Sequence, residues 1–60
     1  MYKLVKSRFD GMIEVEETLV IGTLQECKDF QYKSCNRGAY IDDSGLEWYT
    51  EILENVGVEN

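Results

Sequence analysis

The 60-residue sequence contains no histidine. The chain therefore lacks the usual general base, the commonest metal ligand and the usual activator of a serine or cysteine nucleophile. Without an activator, Ser7, Ser34 and Ser44 are expected in turns, at helix caps or on the surface. We predict from this absence that the protein is not an enzyme and has no catalytic residues.

Only two cysteines are present, and the glycines are isolated from one another. Cys27 and Cys35 would be about 12 Å apart along a helix, whereas the Cα atoms of a disulfide lie within about 7 Å, so they should not form a disulfide unless the helix unwinds before Cys35. Two thiols without histidine also fall short of a structural zinc site. The glycines do not form a phosphate-binding loop. We therefore expect free cysteines, no metal and no cofactor.

Basic residues are few, and no long apolar segment is present. Six Lys and Arg residues against twelve Asp and Glu residues give a net charge of −6, which repels the phosphates of nucleic acids and of anionic lipids. The longest aliphatic run, Leu19 to Ile21, is far shorter than the roughly 20 apolar residues of a membrane span. We expect a cytoplasmic protein that binds neither nucleic acid nor membranes directly.

The length of the chain fits a single domain, residues 1–60. A chain this short buries only about 60% of its unfolded surface, so its hydrophobic core is marginal. We predict that a partner adds to its stability, and we expect a homodimer.

An N-terminal β-hairpin is predicted by the alternation of apolar and polar residues on both sides of Phe9-Asp10-Gly11. A three-residue loop at this point would place Val5 opposite Val15 and Lys6 opposite Glu14. A two-residue loop would pair a charged residue with an apolar residue on both faces of the hairpin. We therefore predict the three-residue loop.

A helix is predicted from about Leu24 to Ser34. Thr23 and Glu26 form a capping box at its start, and Asn36-Arg37-Gly38 is expected to close it. Before the helix, Glu16-Glu17 breaks the alternation, and the second strand is expected to continue from Thr18 to Ile21 past a bulge.

The C-terminal segment supports two interpretations. Asp42-Asp43-Ser44-Gly45 is either a solvated hairpin turn before a fourth strand, in which Trp48 would face Tyr40, or the start of a helix. On a helical wheel the apolar residues from Leu46 to Val56 fall on one half, whereas a strand splits them between two faces. Periodicity therefore favours a second helix that ends near Gly57.

These elements, with a short third strand from Ala39 to Ile41, define the predicted fold. It is an α+β domain in which a small antiparallel sheet, the N-terminal hairpin plus the third strand, packs against one helix. The C-terminal segment adds a second helix or, in the alternative, a fourth strand.

The negative charge is concentrated in the last third of the chain. Residues 1–37 contain equal numbers of acids and bases, whereas residues 38–60 contain six acids and no lysine or arginine. On a helix, Glu47, Glu51 and Glu54 would form an acidic ridge able to face a basic groove. An ordinary solvated helix face has the same pattern.

The aromatic residues are a second candidate feature. Two Phe, four Tyr and one Trp exceed what so small a core accommodates, so some rings must be partly exposed. Such rings are favoured at interfaces, although core packing with exposed ring edges explains them equally well. From both features, the candidate partner-binding residues are Asp42, Asp43, Glu47, Glu51, Glu54, Tyr40, Trp48 and Tyr49.

The chain presents, in order, Phe9-Asp10-Gly11, the segment Thr23 to Phe30 and the segment Ala39 to Gly45. This layout, together with the small size and the negative charge, resembles the small acidic accessory proteins encoded by bacteriophages. The resemblance implies a non-enzymatic protein of the host cytoplasm that binds and inhibits a bacterial enzyme of nucleic-acid handling or defence. It also implies a final strand after Gly45, and it carries over no functional residue.

We therefore predict a protein–protein interaction module that binds a basic surface of a larger protein through the acidic C-terminal third. The three glutamates of the ridge would steer the encounter, and Tyr40, Trp48 or Tyr49 would supply the anchoring area. The alternative is a structural subunit that self-associates through its aromatic residues, with the acids serving solubility.

Overall fold

Five antiparallel strands form one sheet, and a single helix lies against one side of it in the computed structural model, which describes residues 1–54. Along the chain the elements are β1 (Tyr2–Asp10), β2 (Ile13–Gly22), α1 (Leu24–Ser34), β3 (Cys35–Asn36), β4 (Ala39–Ile41) and β5 (Glu47–Glu54). The order of strands across the sheet is β2-β1-β5-β4-β3. The predicted α+β class is confirmed at this level, but the sheet has two more strands than the predicted three.

The N-terminal hairpin forms with a different register from the predicted one. Asp10 pairs with Ile13, so the loop is the two residues Gly11 and Met12, and Lys6 lies opposite Glu17 rather than Glu14. Gly11 has a φ of 70°, which glycine adopts without strain. The predicted three-residue loop is therefore wrong, and in the register that forms Lys6 and Glu17 make an ion pair at 3.4 Å.

A bulge interrupts the pairing of β1 with β2, as predicted, but it lies after Thr18 and not at Glu16-Glu17, which pair regularly. The register shifts between Leu4 and Val5, which pair with Val20 and Thr18 and leave Leu19 without a partner. The shift changes which residues of β2 point toward the helix. It places Gly22 there, where an added Cβ would collide with the Glu26 carboxylate.

Helix α1 has the predicted bounds and the predicted capping box. The Glu26 amide donates to Thr23 Oγ1 at 3.1 Å, and the Thr23 amide donates to Glu26 Oε1 at 2.8 Å. The predicted closure by Asn36-Arg37-Gly38 is wrong, because Cys35 ends the helix in an extended conformation. Arg37 and Gly38, both with positive φ, instead form the turn between β3 and β4.

The C-terminal segment is a strand as far as residue 54, so the predicted second helix is wrong. β5 lies between β1 and β4, and Trp48 pairs with Tyr40 as the strand alternative required. A strand in the middle of a sheet can bury apolar residues on both faces, and Ile52 and Leu53 are both half-buried. The helical periodicity was therefore not diagnostic. The predicted helix end near Gly57 lies outside the described residues.

The core lies where the helix and the middle of the sheet meet. Leu4, Val5, Cys27 and Trp48 are its buried apolar residues. Leu4 and Val5 are neighbours on β1 and point to opposite faces, since a strand alternates its side chains. Helix α1 packs against one of these two faces of the sheet. The hydrogen bond from Gln31 Nε2 of α1 to Thr50 Oγ1 of β5, at 3.0 Å, identifies that face. We call the other face of the sheet the open face.

Candidate interaction surface

The open face carries most of its charge as glutamate. Residues that pair directly across the sheet share a face, so the register assigns four glutamates to the open face: Glu14, Glu16, Glu47 and Glu51. The basic residue that the same strands place there is Lys3. The face is therefore strongly negative, and two different parts of the chain contribute to it.

Exposed apolar side chains lie among these glutamates. Tyr49 is 74% exposed and Phe9 is 68% exposed, and both belong to the open face, as do the exposed residues Ile21 and Ile41. Ser7 separates Tyr49 on one side from Glu16 on the other, and Phe9 lies directly opposite Glu14. Apolar area and negative charge are thus interleaved on one surface, with Val5 buried at its centre.

A cluster of cations and rings lies on the other face of the sheet. The Lys6 ammonium is 4.1 Å from the centre of the Trp48 ring and 5.0 Å from that of Tyr40, and the Arg8 guanidinium carbon is 4.9 Å from the centre of Trp48. Trp48 is only 5% exposed. These contacts are cation–π interactions that hold the rings in place. Trp48 is consequently a core residue rather than an exposed anchor.

Asp42 organises the loop between β4 and β5. Its Oδ1 accepts hydrogen bonds from the Ser44 amide and hydroxyl and from the Leu46 amide, and its Oδ2 accepts one from the Trp48 indole at 2.8 Å. The bond from Trp48, followed by that from the Ser44 hydroxyl, holds the pKa of Asp42 well below its ordinary value. The segment forms the solvated turn, which was the alternative to a helix start, and the hydrogen bonds to Asp42 stabilise it. Asp43 is exposed in the same loop.

The structure divides the predicted partner-binding residues between surfaces. Glu47, Tyr49 and Glu51 lie together on the open face because they alternate along β5. Glu54 lies on the helix side, opposite Tyr2. The predicted ridge of three glutamates, which required helical spacing, is therefore wrong, although two of its members share the open face.

Glu14, Glu16 and Phe9 were missed as candidates. Residues 1–37 contain equal numbers of acids and bases, so this part of the chain gave no sign of a negative surface. The sheet separates these charges, because it places Glu14 and Glu16 on the open face and Lys6 and Arg8 on the helix side. The spacing of Glu14 and Glu16, two residues apart on a strand, was the available signal. Using it required the register of the hairpin, which the sequence predicted wrongly.

An open groove of about 920 Å³ lies beside the second half of α1 and the β3–β4 turn. Its lining includes Lys28, Tyr32, Cys35 and Arg37. Burial raises the pKa of the Cys35 thiol above its ordinary value, and a hydrogen bond with Thr50 partly offsets this effect. A raised pKa leaves less of the Cys35 thiol in the nucleophilic thiolate form. Cys27 and Cys35 are both free, as predicted.

Within residues 1–54, no three His, Cys, Asp or Glu side chains come together in a way that could hold a metal ion. In the same part of the chain, no helix has both the length and the apolar character needed to cross a membrane.

Comparison with known proteins yields no match to a protein family, a curated protein or a solved structure.

Proposed function

We propose that the protein is a non-enzymatic interaction module that docks its open face against a basic surface of a larger protein. The observation that carries the proposal is the composition of this face, where four glutamates and one lysine lie on the same surface as the exposed rings of Tyr49 and Phe9. Within residues 1–54, α1 lies on the opposite side of the sheet and leaves these side chains accessible.

The two kinds of residue would act at different stages of binding. Glutamates raise the rate at which a basic partner is encountered, because opposite charges attract over about a Debye length. Exposed aromatic rings contribute affinity once contact is made, because they bury a large area at a small entropic cost. Of the three predicted anchors, Tyr49 is thus retained, and Phe9 takes the place of Trp48 and Tyr40.

The chemistry of the open face favours a partner that handles nucleic acid. Such proteins carry basic surfaces that bind phosphates, and a negatively charged face bound there would exclude nucleic acid by occupying the same surface. We extend the proposal to inhibition of a bacterial protein of this kind, or of a defence protein, in the cytoplasm of the host. The resemblance to bacteriophage accessory proteins implies the same activity.

Self-association is the competing function, and the open face is poorly suited to it. Two copies packed through this face would bring Glu14, Glu16, Glu47 and Glu51 of each close to the same residues of the other. Like charges in an interface cost free energy. The predicted homodimer stays a prediction, and sedimentation at several protein concentrations tests it.

The test is quantitative affinity capture from a bacterial lysate with two double variants of equal charge change. Glu47→Lys with Glu51→Lys alters the open face, whereas Asp29→Lys with Glu54→Lys alters the helix and the helix side of β5. We expect the open-face variant to lose about tenfold or more of its specific partner and the control variant to keep it. Captured partners are then tested for release of bound nucleic acid.

Circular dichroism of both variants confirms that each is folded before capture. Equal recovery with the two variants, or loss with both, would refute docking through the open face. A captured partner that binds nucleic acid equally well with and without the wild-type protein would refute the proposed inhibition. Replacing Tyr49 by Ala is expected to weaken capture without changing its dependence on salt, since that ring is uncharged.

A further inference from the structure

The outer edge of β2 is the longest strand edge without a partner among the described residues. β2 runs over 10 residues and is paired with β1 on one side only, whereas β3 at the opposite edge of the sheet has 2 residues. An edge strand presents unpaired backbone N–H and C=O groups along its length, and these groups can pair with another extended chain.

Natural edge strands often carry features that prevent such pairing, among them lysine, proline and bulges. β2 contains neither lysine nor proline, and its bulge at Leu19 lies toward its C-terminal end. The segment from Ile13 to Thr18 is consequently regular, and it pairs with β1 without a register shift. It offers a continuous edge of the length of an ordinary strand.

The charges on this segment decide which occupant fits. Glu14, Glu16 and Glu17 are its charged residues, so a second copy would bring like charges together. Antiparallel pairing of this segment with the same segment of a second copy, centred on Val15, places Glu14 opposite Glu16 at two positions, which is destabilising. A strand with lysine or arginine opposite these glutamates would be stabilised by the same geometry.

We propose that the β2 edge from Ile13 to Thr18 binds an extended basic segment of the partner as an added strand of the sheet. Lysine or arginine at alternate positions faces Glu14 and Glu16 on the open face, and apolar residues between them face the half-buried side chain of Val15 on the other side. Backbone hydrogen bonds supply affinity, and the glutamates select the sequence. This inference builds on the proposed function, since it specifies how a basic partner is held.

The probe is a synthetic peptide of about eight residues in which lysine and valine alternate, the length of an ordinary strand. Its control has the same sequence with alternate backbone nitrogens methylated, which removes hydrogen-bond donors on one edge and keeps the charge. The full chain, labelled with ¹⁵N, is titrated with each peptide near physiological salt. We expect the first peptide to shift the amide signals of residues 13–18 and slow their hydrogen exchange, and the methylated peptide to bind about tenfold or more weakly.

Two variants of equal charge separate strand addition from general attraction between charges. Glu14→Lys with Glu16→Lys is expected to abolish peptide binding, whereas Glu47→Lys with Glu51→Lys leaves β2 intact and is expected to retain most of it. The ¹⁵N spectra of both variants show whether the fold is preserved. Absence of peptide binding, equal binding of the methylated peptide, or shifts centred on Tyr49 would overturn the proposal.

The two proposals can fail separately. If partner capture depends on Glu47 and Glu51 while the peptide does not bind at β2, docking of the open face stands and strand addition is rejected. If the peptide binds at β2 while capture is unaffected by changes at Glu47 and Glu51, docking of the open face is rejected.

Discussion

Residue-scale effects are concentrated at Asp42, whose carboxylate accepts four hydrogen bonds from the loop between β4 and β5 and from Trp48. These bonds favour the ionised carboxylate and hold the pKa of Asp42 below its ordinary value. The pKa of an unperturbed aspartate is about 3.9. Because the pKa in the folded state is the lower one, ionised Asp42 stabilises the fold fully above that value, and this stabilisation is lost as the pH falls below it.

Replacing Asp42 by Asn is therefore expected to lower the free energy of unfolding at neutral pH, and by less at low pH. The difference between wild type and variant should shrink between about pH 5 and pH 2. Urea denaturation followed by Trp48 fluorescence at several pH values measures it. Asp43→Asn is the control, because it removes the same charge from the exposed neighbour in the loop. A difference for Asp42→Asn that does not change with pH would contradict the assignment.

Lys6 is the second residue whose contacts allow a change in stability to be predicted. Its ammonium contacts two rings and lies 3.4 Å from Glu17, which is largely exposed. Lys6→Met keeps an unbranched stem and removes the charge, so it should cost about 1–2 kcal/mol of stability through the lost cation–π contacts. Glu17→Gln should cost less than about 1 kcal/mol, because an ion pair with an exposed partner contributes little. Thermal unfolding of both variants decides the order, and a larger loss for Glu17→Gln would refute it.

Elements differ in how far the sequence determined them. The start of helix α1 was predicted correctly because its signals are local: Thr23 and Glu26 lie within one turn of each other, and the N-cap needs no distant contact. The hairpin register and the strand β5 depended on pairing across the sheet. Lys6 meets Glu17, and Trp48 meets Tyr40, only after distant segments have come together. Periodicity within one segment could not supply that information.

The capping box provides a prediction at the scale of an element. Thr23→Ala removes the acceptor of the Glu26 amide and should lower the free energy of unfolding by about 1 kcal/mol. Ser34→Ala, at the exposed other end of the same helix, should change it by no more than about 0.5 kcal/mol. Chemical denaturation of both variants measures the two values. Equal effects would show that the cap does not stabilise α1.

On the scale of the whole molecule, the core is small for the number of residues it holds together. Only four apolar residues among those described are buried, and a domain of 60 residues is expected to unfold at a cost of about 3–9 kcal/mol. The prediction of a marginal core from length alone agrees with this burial. The expectation that some aromatic rings are exposed is confirmed by Phe9, Tyr32 and Tyr49.

Leu4 is the residue whose loss this core should tolerate least. It is fully buried on the helix side of β1, and Leu4→Ala should cost about 2–5 kcal/mol, which is a large part of the total stability. We expect a largely unfolded protein near 37 °C, visible as loss of the cooperative transition in circular dichroism. Leu46→Ala, at a half-exposed leucine in the loop before β5, should retain that transition. A fully folded Leu4→Ala protein would mean that contacts other than those of Leu4 supply most of the stability of the core.

The sequence predicted only part of the candidate site, because the arrangement of the whole sheet decides which residues share a face. The sequence located an acidic C-terminal third, but the sheet sorts charges by face rather than by position along the chain. Glu47 and Glu51 join Glu14 and Glu16 on the open face, although they are more than thirty residues apart in sequence. Only the order and register of the strands bring them together.

Among the residues that the structure describes, four glutamates and one lysine lie on the open face, whereas Lys6 and Arg8 lie on the helix side. This difference in charge corresponds to an electric dipole across the sheet. In the field of a cationic surface, such a dipole experiences a torque that turns the glutamate-rich side inward before any atoms touch. The protein would thus reach a basic partner with the open face already turned toward it, and a larger fraction of encounters would lead to binding.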